Sequence, residues 1–273
     1  MTGQVGHQTG NTFAPAPGSA PYAHMVRSQA ALETRLLLRN GEQVLLTLVI
    51  PLVLLLLLAG TDIVDVSGTG SASDQVPAAL AGVLTVAVMS TAFTGLAIAT
   101  GFERRYGVLR RLAVTPLPRS ALLLGKAGAV LVIEAVQVAL LVGVALLLGW
   151  DGAASWGAVV LVVVMGTAAF AGLGMLMAGT LRAEATLAAA NLVYIVLLLA
   201  GAAVIPVDRY PDAVQPVLAL LPSGALGEGL RTAVVDAGNV AVDAGGVAWG
   251  PVGVLAVWAV AGLALAARFF RWE

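Results

Sequence analysis

Residues 43–60 read QVLLTLVIPLVLLLLLAG, a run without a single charged side chain. As an α-helix this run is roughly 27 Å long, close to the thickness of the hydrocarbon core of a bilayer. The rest of the 273-residue chain has the same character, since 59% of its residues are hydrophobic and only 11% are charged, against about 25% charged in an ordinary soluble domain. A water-soluble core cannot bury so much apolar surface, and the sequence therefore predicts an integral membrane protein.

Five further apolar runs are long enough to cross a bilayer as helices. With the first run, the predicted spans cover residues 43–60, 76–101, 121–148, 156–181, 185–207 and 247–267. Helices are expected because backbone polar groups in lipid need partners within their own segment, and these runs are too uniformly apolar for barrel strands. The predicted fold is an all-α membrane bundle of six transmembrane helices, the first of which is kinked at Pro51.

The basic residues predict an orientation for this bundle. In the six-span arrangement, one side holds Arg27, Arg35, Arg39, Arg104, Arg105, Arg110, Arg111, Arg119, Lys126, Arg182, Arg268 and Arg271. The opposite loops hold only two of the 14 basic residues, Arg209 and Arg231. Because cytoplasmic loops carry an excess of Lys and Arg, both termini are predicted to be cytoplasmic.

The segment before the first span divides into two parts. Residues 1–24 are rich in Gly, Pro, Ala, Thr and Gln and contain no Lys, Arg, Asp or Glu, which predicts a disordered tail. Residues 26–40 place three arginines on one helical face and apolar residues on another, which predicts an amphipathic surface helix. Residues 25–273 are then expected to be one transmembrane domain.

The connection between the fifth and sixth spans contains the apolar stretch 213–221, which Pro216 interrupts and Pro222 ends. This stretch is too short to cross a bilayer. An external re-entrant or interfacial segment, shielded from lipid by protein, fits it better.

Residue types needed for several kinds of chemistry are missing. The chain has no Cys, which excludes disulfides, thiolate nucleophiles and cysteine metal sites. Its two histidines, His7 and His24, lie in the N-terminal tail, so histidine catalysis or metal binding within the membrane is excluded. A formal net charge of −1 gives no reason to expect nucleic acid as a partner. The spans also lack the paired side chains that a membrane-embedded enzyme needs.

The loop over residues 102–119 reads FERRYGVLRRLAVTPLPR. Its first half, through Ala113, predicts a short helix with four arginines, which Pro116 and Pro118 stop before the third span. Two interpretations are open from the residues alone. Such a helix is suited to transmitting force from a soluble partner, and its arginines also suit anchoring to anionic lipid.

This loop resembles the loop after the second span in ABC-2 type permeases, the membrane subunits of ATP-binding cassette exporters that include drug and antibiotic efflux systems. The resemblance rests on the order of Glu103, Arg104, Gly107, Leu112, Thr115, Pro116, Leu117, Arg119, Gly125 and Lys126, on residues 39–52, and on residues 221–222 and 229–231. It implies that the loop is a cytoplasmic coupling helix that docks onto a separate ATPase subunit. The residues then implied in coupling are Glu103, Arg104, Arg105, Gly107, Arg110, Arg111, Thr115, Pro116 and Arg119.

ATP hydrolysis is expected on the partner subunit. A P-loop needs Gly, four residues, and then Gly-Lys followed by Ser or Thr. Here Gly125 and Lys126 are followed by Ala127, and Ser120 stands where the first Gly is required. The chain is therefore predicted to bind no cofactor directly, with ATP and magnesium on the partner. The resemblance further implies two permeases, predicted to form a homodimer in membrane lipid, and two ATPases.

Glu134 is the one acidic side chain inside the predicted spans, and Gln137 follows it by about one helical turn. A charged carboxylate there costs about 3 kcal/mol even on lenient insertion scales, so it should face protein or water. Glu134 and Gln137 are therefore candidates for lining the translocation path. The alternative is a hydrogen bond between helices, worth about 1 kcal/mol, that only fixes their packing.

The sequence favours the function of an exporter permease, and two other classes stay open. An ion-coupled secondary transporter usually carries several ionisable groups in its spans, whereas Glu134 stands nearly alone. A membrane scaffold without transport is the other alternative. Apolar spans suit a hydrophobic or amphipathic substrate, and the heavy use of Ala, Val, Gly and Arg suggests the plasma membrane of a high-GC bacterium.

Overall fold

The computed structural model of the chain describes residues 20–60, 72–200, 207–236 and 247–270. In these ranges the backbone is helical throughout, with turns and short links but no β-strand. The α-helices are α1 (Tyr22–Arg39), α2 (Gly41–Gly60), α3 (Ala72–Val88), α4 (Leu96–Arg105), α5 (Val108–Ala113), α6 (Arg119–Leu147), α7 (Trp156–Thr180), α8 (Ala183–Ala200), α9 (Gln215–Leu220), α10 (Pro222–Val234) and α11 (Trp249–Phe269). The predicted all-α membrane fold is confirmed.

Among the described residues, five helical segments are long and apolar enough to cross a membrane: Gly41–Gly60, Gln75–Arg105, Arg119–Leu147, Trp156–Thr180 and Trp249–Phe269. The chain is thus a multi-pass membrane protein. α8 is also apolar but shorter. The predicted fifth span extended to residue 207, but Val207 begins a 3-10 turn, and residues 201–206 lie outside the described ranges. The count of six spans stays a prediction.

The second span is the most deeply buried of these segments and forms the centre of the bundle. It is continuous from α3 to α4, but its middle, Met89–Gly95, is a π-helix. A π-helical turn has one more residue per turn than an α-helix and occurs often at functional sites. The sequence prediction of a uniform α-helix over residues 76–101 missed this segment, which contains Ser90, Thr91 and Thr94.

α1 begins at Tyr22, four residues before the predicted amphipathic helix, so the last residues of the predicted tail are helical. The remainder of that tail, residues 1–19, lies outside the described ranges. α1 also packs against α6, where a Cβ added at Gly125 would lie 2.6 Å from Gln29 Cγ. α1 is therefore part of the bundle as well as amphipathic. Asn40 separates α1 from α2, and its Oδ1 accepts a hydrogen bond from the backbone N–H of Gln43 at 3.3 Å.

The connection before the last span forms two helices, α9 and α10. The predicted apolar stretch 213–221 corresponds only to α9. α9 ends at Leu220, before Pro222, and Pro222 is also the first residue of α10, which the sequence interpretation did not foresee. Proline is favoured at a first helical position because its missing N–H has no partner there in any helix.

α10 enters the bundle and runs antiparallel to α7. Its end lies near the start of α7, where the Ser155 N–H donates to the Ala233 carbonyl at 2.8 Å. Deeper in the bundle, Leu226 fills the space beside Gly166, where an added Cβ would lie 2.6 Å from Leu226 Cδ1. Gly166 is roughly 15 Å along α7 from its first residue. α10 is thus covered by protein. Its predicted role as an external re-entrant segment stays a prediction.

The backbones of α7 and α11 approach closely at Gly172 and Gly262. A Cβ added at Gly172 would lie 2.7 Å from the Leu263 backbone nitrogen and 2.8 Å from the Gly262 carbonyl carbon. Small residues permit such contacts between membrane helices, whose attraction depends on van der Waals packing. This crossing holds the last span against the core.

Candidate functional site

The loop between the second and third spans folds as a sharp turn followed by a short helix. α4 ends at Arg105, and Gly107 adopts φ +74°, a left-handed conformation that costs glycine little. α5 then carries Arg110 and Arg111, and its Leu109 is fully buried in the core of the bundle. Leu109 therefore fixes the short helix to the body of the protein.

The outer side of this loop is exposed, and we call it the α5 surface. It mixes basic, polar and apolar side chains, and Val114 is 87% exposed. Its members are Tyr106, Val108, Arg110, Arg111, Val114, Thr115, Pro116 and Arg119. Neither Arg110 nor Arg111 has an ion-pair partner in the part of the chain that the structure describes. These guanidinium groups are free to contact another molecule.

Arg104 and Arg105, predicted to take part in coupling, are bound within the chain. Arg104 Nη1 and Nη2 donate to the carbonyls of Ala178 and Leu181 at 2.9 and 2.7 Å, at the end of α7. Arg105 forms an ion pair with Glu184 at the start of α8. Cations near a helix C-terminus interact favourably with its partial negative charge. These residues connect the α5 surface to two neighbouring helices.

Glu103, also predicted for coupling, belongs to a buried ion-pair cluster with Glu33 and Lys126. Lys126 Nζ lies 2.8 Å from Glu33 Oε1 and 2.6 Å from Glu103 Oε2. The side chain of Lys126 is 1% exposed, against 12% for Glu33 and 25% for Glu103. The cluster joins α1, α4 and α6 at the end of the bundle next to the α5 surface.

A cavity of about 420 Å³ opens beside this cluster, and we call it the α1–α6 cavity. Five elements form its wall: α1, α2, the π-helical segment, α4 and α6. One end carries the three charged side chains of the cluster. Its remaining lining residues are Leu36, Leu37, Asn40, Gln43, Val44, Thr47, Ser90, Thr91, Thr94, Gly95, Leu96, Ile98, Ala99, Ala129, Val130 and Ile133.

Gln137 and Glu134 are buried between helices of the chain and are not part of the cavity wall. Gln137 Nε2 donates to the Thr47 carbonyl at 2.7 Å. Thr47 precedes Pro51 by four residues, so its carbonyl is the one that Pro51 leaves without an N–H partner in α2. The side chain of Gln137 replaces that missing hydrogen bond.

Glu134 contacts α7, where its Oε2 forms a short hydrogen bond with Thr167 Oγ1. The same hydroxyl lies 2.7 Å from the Val163 carbonyl, while Glu134 Oε1 has no hydrogen-bond partner among the described residues. The two candidate path residues thus reach different neighbours, Gln137 toward α2 and Glu134 toward α7. Their role in a translocation path stays a prediction.

Comparison with known families identifies the bundle. The family model described as ABC-2 family transporter protein matches residues 59–268. The chain belongs to the ABC-2 transporter family. The resemblance predicted from the sequence is confirmed. No curated protein matches the chain.

As an ABC-2 family member, the chain is the membrane permease component of an ATP-binding cassette transporter, and the family lacks an ATPase of its own. The match includes the α5 surface, α6 and α10. α1, with Glu33, lies before the matched segment. The family thus implies a separate ATPase subunit as partner.

Sequence reasoning on the ABC-2 chain missed Glu33 and Lys126 as a pair, since 92 residues separate them. The sequence did contain a signal that Lys126 has an acidic partner. Lys126 falls inside a predicted span, where a cation needs a partner. The acidic residues on its predicted side of the membrane are Glu33, Glu42, Glu103, Glu184 and Glu273, and Glu103 stands in the loop that leads to the third span.

Proposed function

We propose that this permease works in an ATP-driven exporter and that the ATPase subunit docks on the α5 surface from the cytosol. Membership in the ABC-2 family supplies the need for an ATPase partner. The observation that carries the location is the α5 surface itself, which combines unpaired arginines with exposed Tyr106, Val108 and Val114. Such mixtures of Arg, aromatic and apolar side chains are enriched in protein interfaces.

The contacts beneath the α5 surface support its use as a force-transmitting element. Leu109 is buried in the core, and Arg104 is hydrogen-bonded to two carbonyls of the α7 end. Glu103 connects the same helix end to Lys126 on α6. Because packed interiors transmit displacement with little compression, a push on α5 would move α4, α6 and α7 together.

The proposed orientation puts the α5 surface and both termini in the cytoplasm. This orientation is supported by the excess of Lys and Arg at the end of the bundle that carries the α5 surface. The exporter further comprises six spans per permease, a second copy of the chain as a homodimer in membrane lipid, and a hydrophobic or amphipathic cargo. In this arrangement ATP binding brings the ATPases together, and the displacement of α5 opens the bundle toward the outside.

Co-purification with an ATP-binding cassette subunit tests the docking proposal. The Arg110→Glu/Arg111→Glu double variant is compared with Arg209→Glu, an exposed arginine away from the α5 surface. Two reversed charges at an interface are expected to cost about 2 kcal/mol, or roughly thirtyfold in affinity. Equal recovery of the ATPase by the double variant and the control would contradict docking on α5.

Transport after ATP depletion separates the exporter from an ion-coupled carrier. An ATP-driven exporter stops when ATP is removed while the ion gradients are clamped. Transport that continues under these conditions would favour the secondary transporter.

Cysteine labelling tests the orientation, because the chain has no native Cys. Asp151→Cys, in the loop between α6 and α7, should react with a membrane-impermeant thiol reagent added to intact cells. Arg111→Cys should react only after the membrane is opened. The reverse pattern would place the α5 surface outside the cell.

A further inference from the structure

The α1–α6 cavity is separate from the exposed α5 surface, and its wall is built from five elements that meet beside the buried ion-pair cluster. Its volume of about 420 Å³ falls within the range of pockets that hold small molecules. Charged, hydroxyl and apolar side chains occupy different parts of the wall. The arrangement therefore limits the chemistry of an occupant.

The charged end presents carboxylates to the cavity. Glu33, Glu103 and Lys126 together have a formal charge of −1, and Lys126 is covered by its two partners. Both carboxylates are more exposed than the ammonium group between them. An anion entering here would meet carboxylate oxygens, whereas a cation would balance the excess charge.

The cavity extends from this charged end along the helices. On α6 its wall runs from Lys126 to Ile133, roughly 10 Å along the helix axis. Leu37, Val44 and Val130 supply apolar surface along that length. An occupant with one charged end and an apolar body would match this gradient.

The π-helical segment adds polar groups with unused hydrogen-bonding capacity. Thr91 and Thr94 line the cavity, and their buried Oγ1 atoms have no hydrogen-bond partner among the described residues. Leaving a buried hydroxyl unsatisfied is costly, and such groups call for an explanation. Rotation about χ1 exchanges the hydroxyl and the methyl group, which would turn a donor or acceptor toward an occupant.

We propose that the α1–α6 cavity is a binding site for a cationic amphiphile. Its ammonium group lies on the cavity side of the Glu33 and Glu103 carboxylates, away from Lys126, and its apolar body lies along α2 and α6. The site goes beyond the proposed exporter function and does not depend on it, since binding requires neither ATP nor the ATPase. The ammonium group of the occupant has two possible sources, a small amine or the head group of a lipid, because both carry the same charged group.

Equilibrium binding of radiolabelled dodecylamine tests the site. The full-length chain is placed in phosphatidylcholine nanodiscs, and uptake by empty nanodiscs is subtracted. Saturable binding is expected, with dodecanol binding far more weakly because it lacks the charge. Glu33→Gln and Glu103→Gln should each weaken amine binding by about tenfold or more, the effect of one charge-assisted hydrogen bond. Glu184→Gln removes an exposed carboxylate outside the cavity and should leave binding unchanged.

Val130→Thr provides a variant that leaves the ion pairs intact, in case the glutamine variants fail to fold. Val130 lines the apolar wall of the cavity on α6, and a hydroxyl placed there has no partner on the apolar body of the probe. The variant should weaken amine binding about fivefold, since an unpaired polar group in an apolar contact costs about 1 kcal/mol or more. Wild-type affinity in Val130→Thr, wild-type affinity in both glutamine variants, or equal binding of dodecanol would each overturn the proposal.

A second nanodisc composition identifies the source of the ammonium group. Phosphatidylethanolamine carries the same group on a lipid. Competition between this lipid and dodecylamine would support the site and identify a lipid head group as its occupant. Undiminished dodecylamine binding would support the site and identify a small amine.

Discussion

Replacing Lys126 by Met tests whether the buried ion-pair cluster holds α1, α4 and α6 together. The substitution keeps the apolar length of the side chain but leaves the carboxylates of Glu33 and Glu103 close together without a cation. Both carboxylates lie within 2.8 Å of the Lys126 ammonium group. Removing one partner of a buried ion pair costs about 3–5 kcal/mol, a large part of the roughly 5–15 kcal/mol that stabilises a typical native protein.

The measurement is the free energy of unfolding in mixed micelles, followed by tryptophan fluorescence. Adding Glu33→Gln and Glu103→Gln to Lys126→Met removes the unpaired charges and should recover most of the lost stability. Arg105→Met breaks an exposed ion pair at the same end of the bundle and should cost at most about 1 kcal/mol. The reasoning fails if Lys126→Met matches Arg105→Met, or if the triple variant is no more stable than Lys126→Met.

Substitutions at three further sites test other contacts of the bundle. Gly172→Ala places a Cβ 2.7 Å from the backbone of α11 and should destabilise the protein by about 1–3 kcal/mol. The control Gly157→Ala places a Cβ with no atom within 4 Å and should not destabilise it. Equal unfolding midpoints of the two variants would contradict the α7–α11 contact. Gln137→Leu leaves the Thr47 carbonyl without its donor and should lower the stability of the protein by about 1–2 kcal/mol. Amide hydrogen exchange in α2 measures the effect, and unchanged protection of α2 would contradict it. Glu134→Gln keeps a polar partner for the Thr167 hydroxyl and should assemble like the wild type, whereas Glu134→Ala should not. If both variants assemble but neither transports, Glu134 serves the translocation path instead of the packing of α6 and α7.

The apolar runs were predictable because lipid imposes a length and composition that neighbouring helices cannot override. α7 covers Trp156–Thr180, where the sequence predicted residues 156–181. The break at Asn40 was equally visible, since an Asn-Gly pair interrupts the helical pattern. At the fifth span, α8 is described to Ala200, and the rest of the predicted span up to residue 206 lies outside the described ranges.

α10 could not be predicted from hydropathy. It has 13 residues and contains Ser223, Glu228 and Arg231, so it is too short and too polar to register as a span. Its burial comes from the space that glycines such as Gly166 leave on neighbouring helices, which is a property of the packed bundle. Pro222 has two meanings in sequence, the end of one helix or the first turn of the next, and only the fold decides between them.

The candidate site was predictable in part. The end of the short helix at Ala113 was predictable from the prolines that follow it. The prediction of four arginines on one helix was wrong, because Arg104 and Arg105 end α4 and Gly107, in a left-handed conformation, separates them from α5. The same reasoning did not reveal that Arg104 turns inward to the carbonyls of α7, because that contact joins residues 74 and 77 positions apart. The hydrogen bond from Gln137 that replaces the one lost at Pro51 was also not predictable. It depends on how α2 and α6 pack against each other.

Photo-crosslinking from the α5 surface in living cells tests the central claim most directly. A benzophenone amino acid replaces Val114, which is 87% exposed, and in a matched control it replaces Leu147, which is 88% exposed at the other end of α6. We expect illumination to join the Val114 position, and not the Leu147 position, to a protein that mass spectrometry identifies as an ATP-binding cassette subunit. An ATPase adduct at Leu147, or none at Val114 while the ATPase still co-purifies, would contradict docking on the α5 surface.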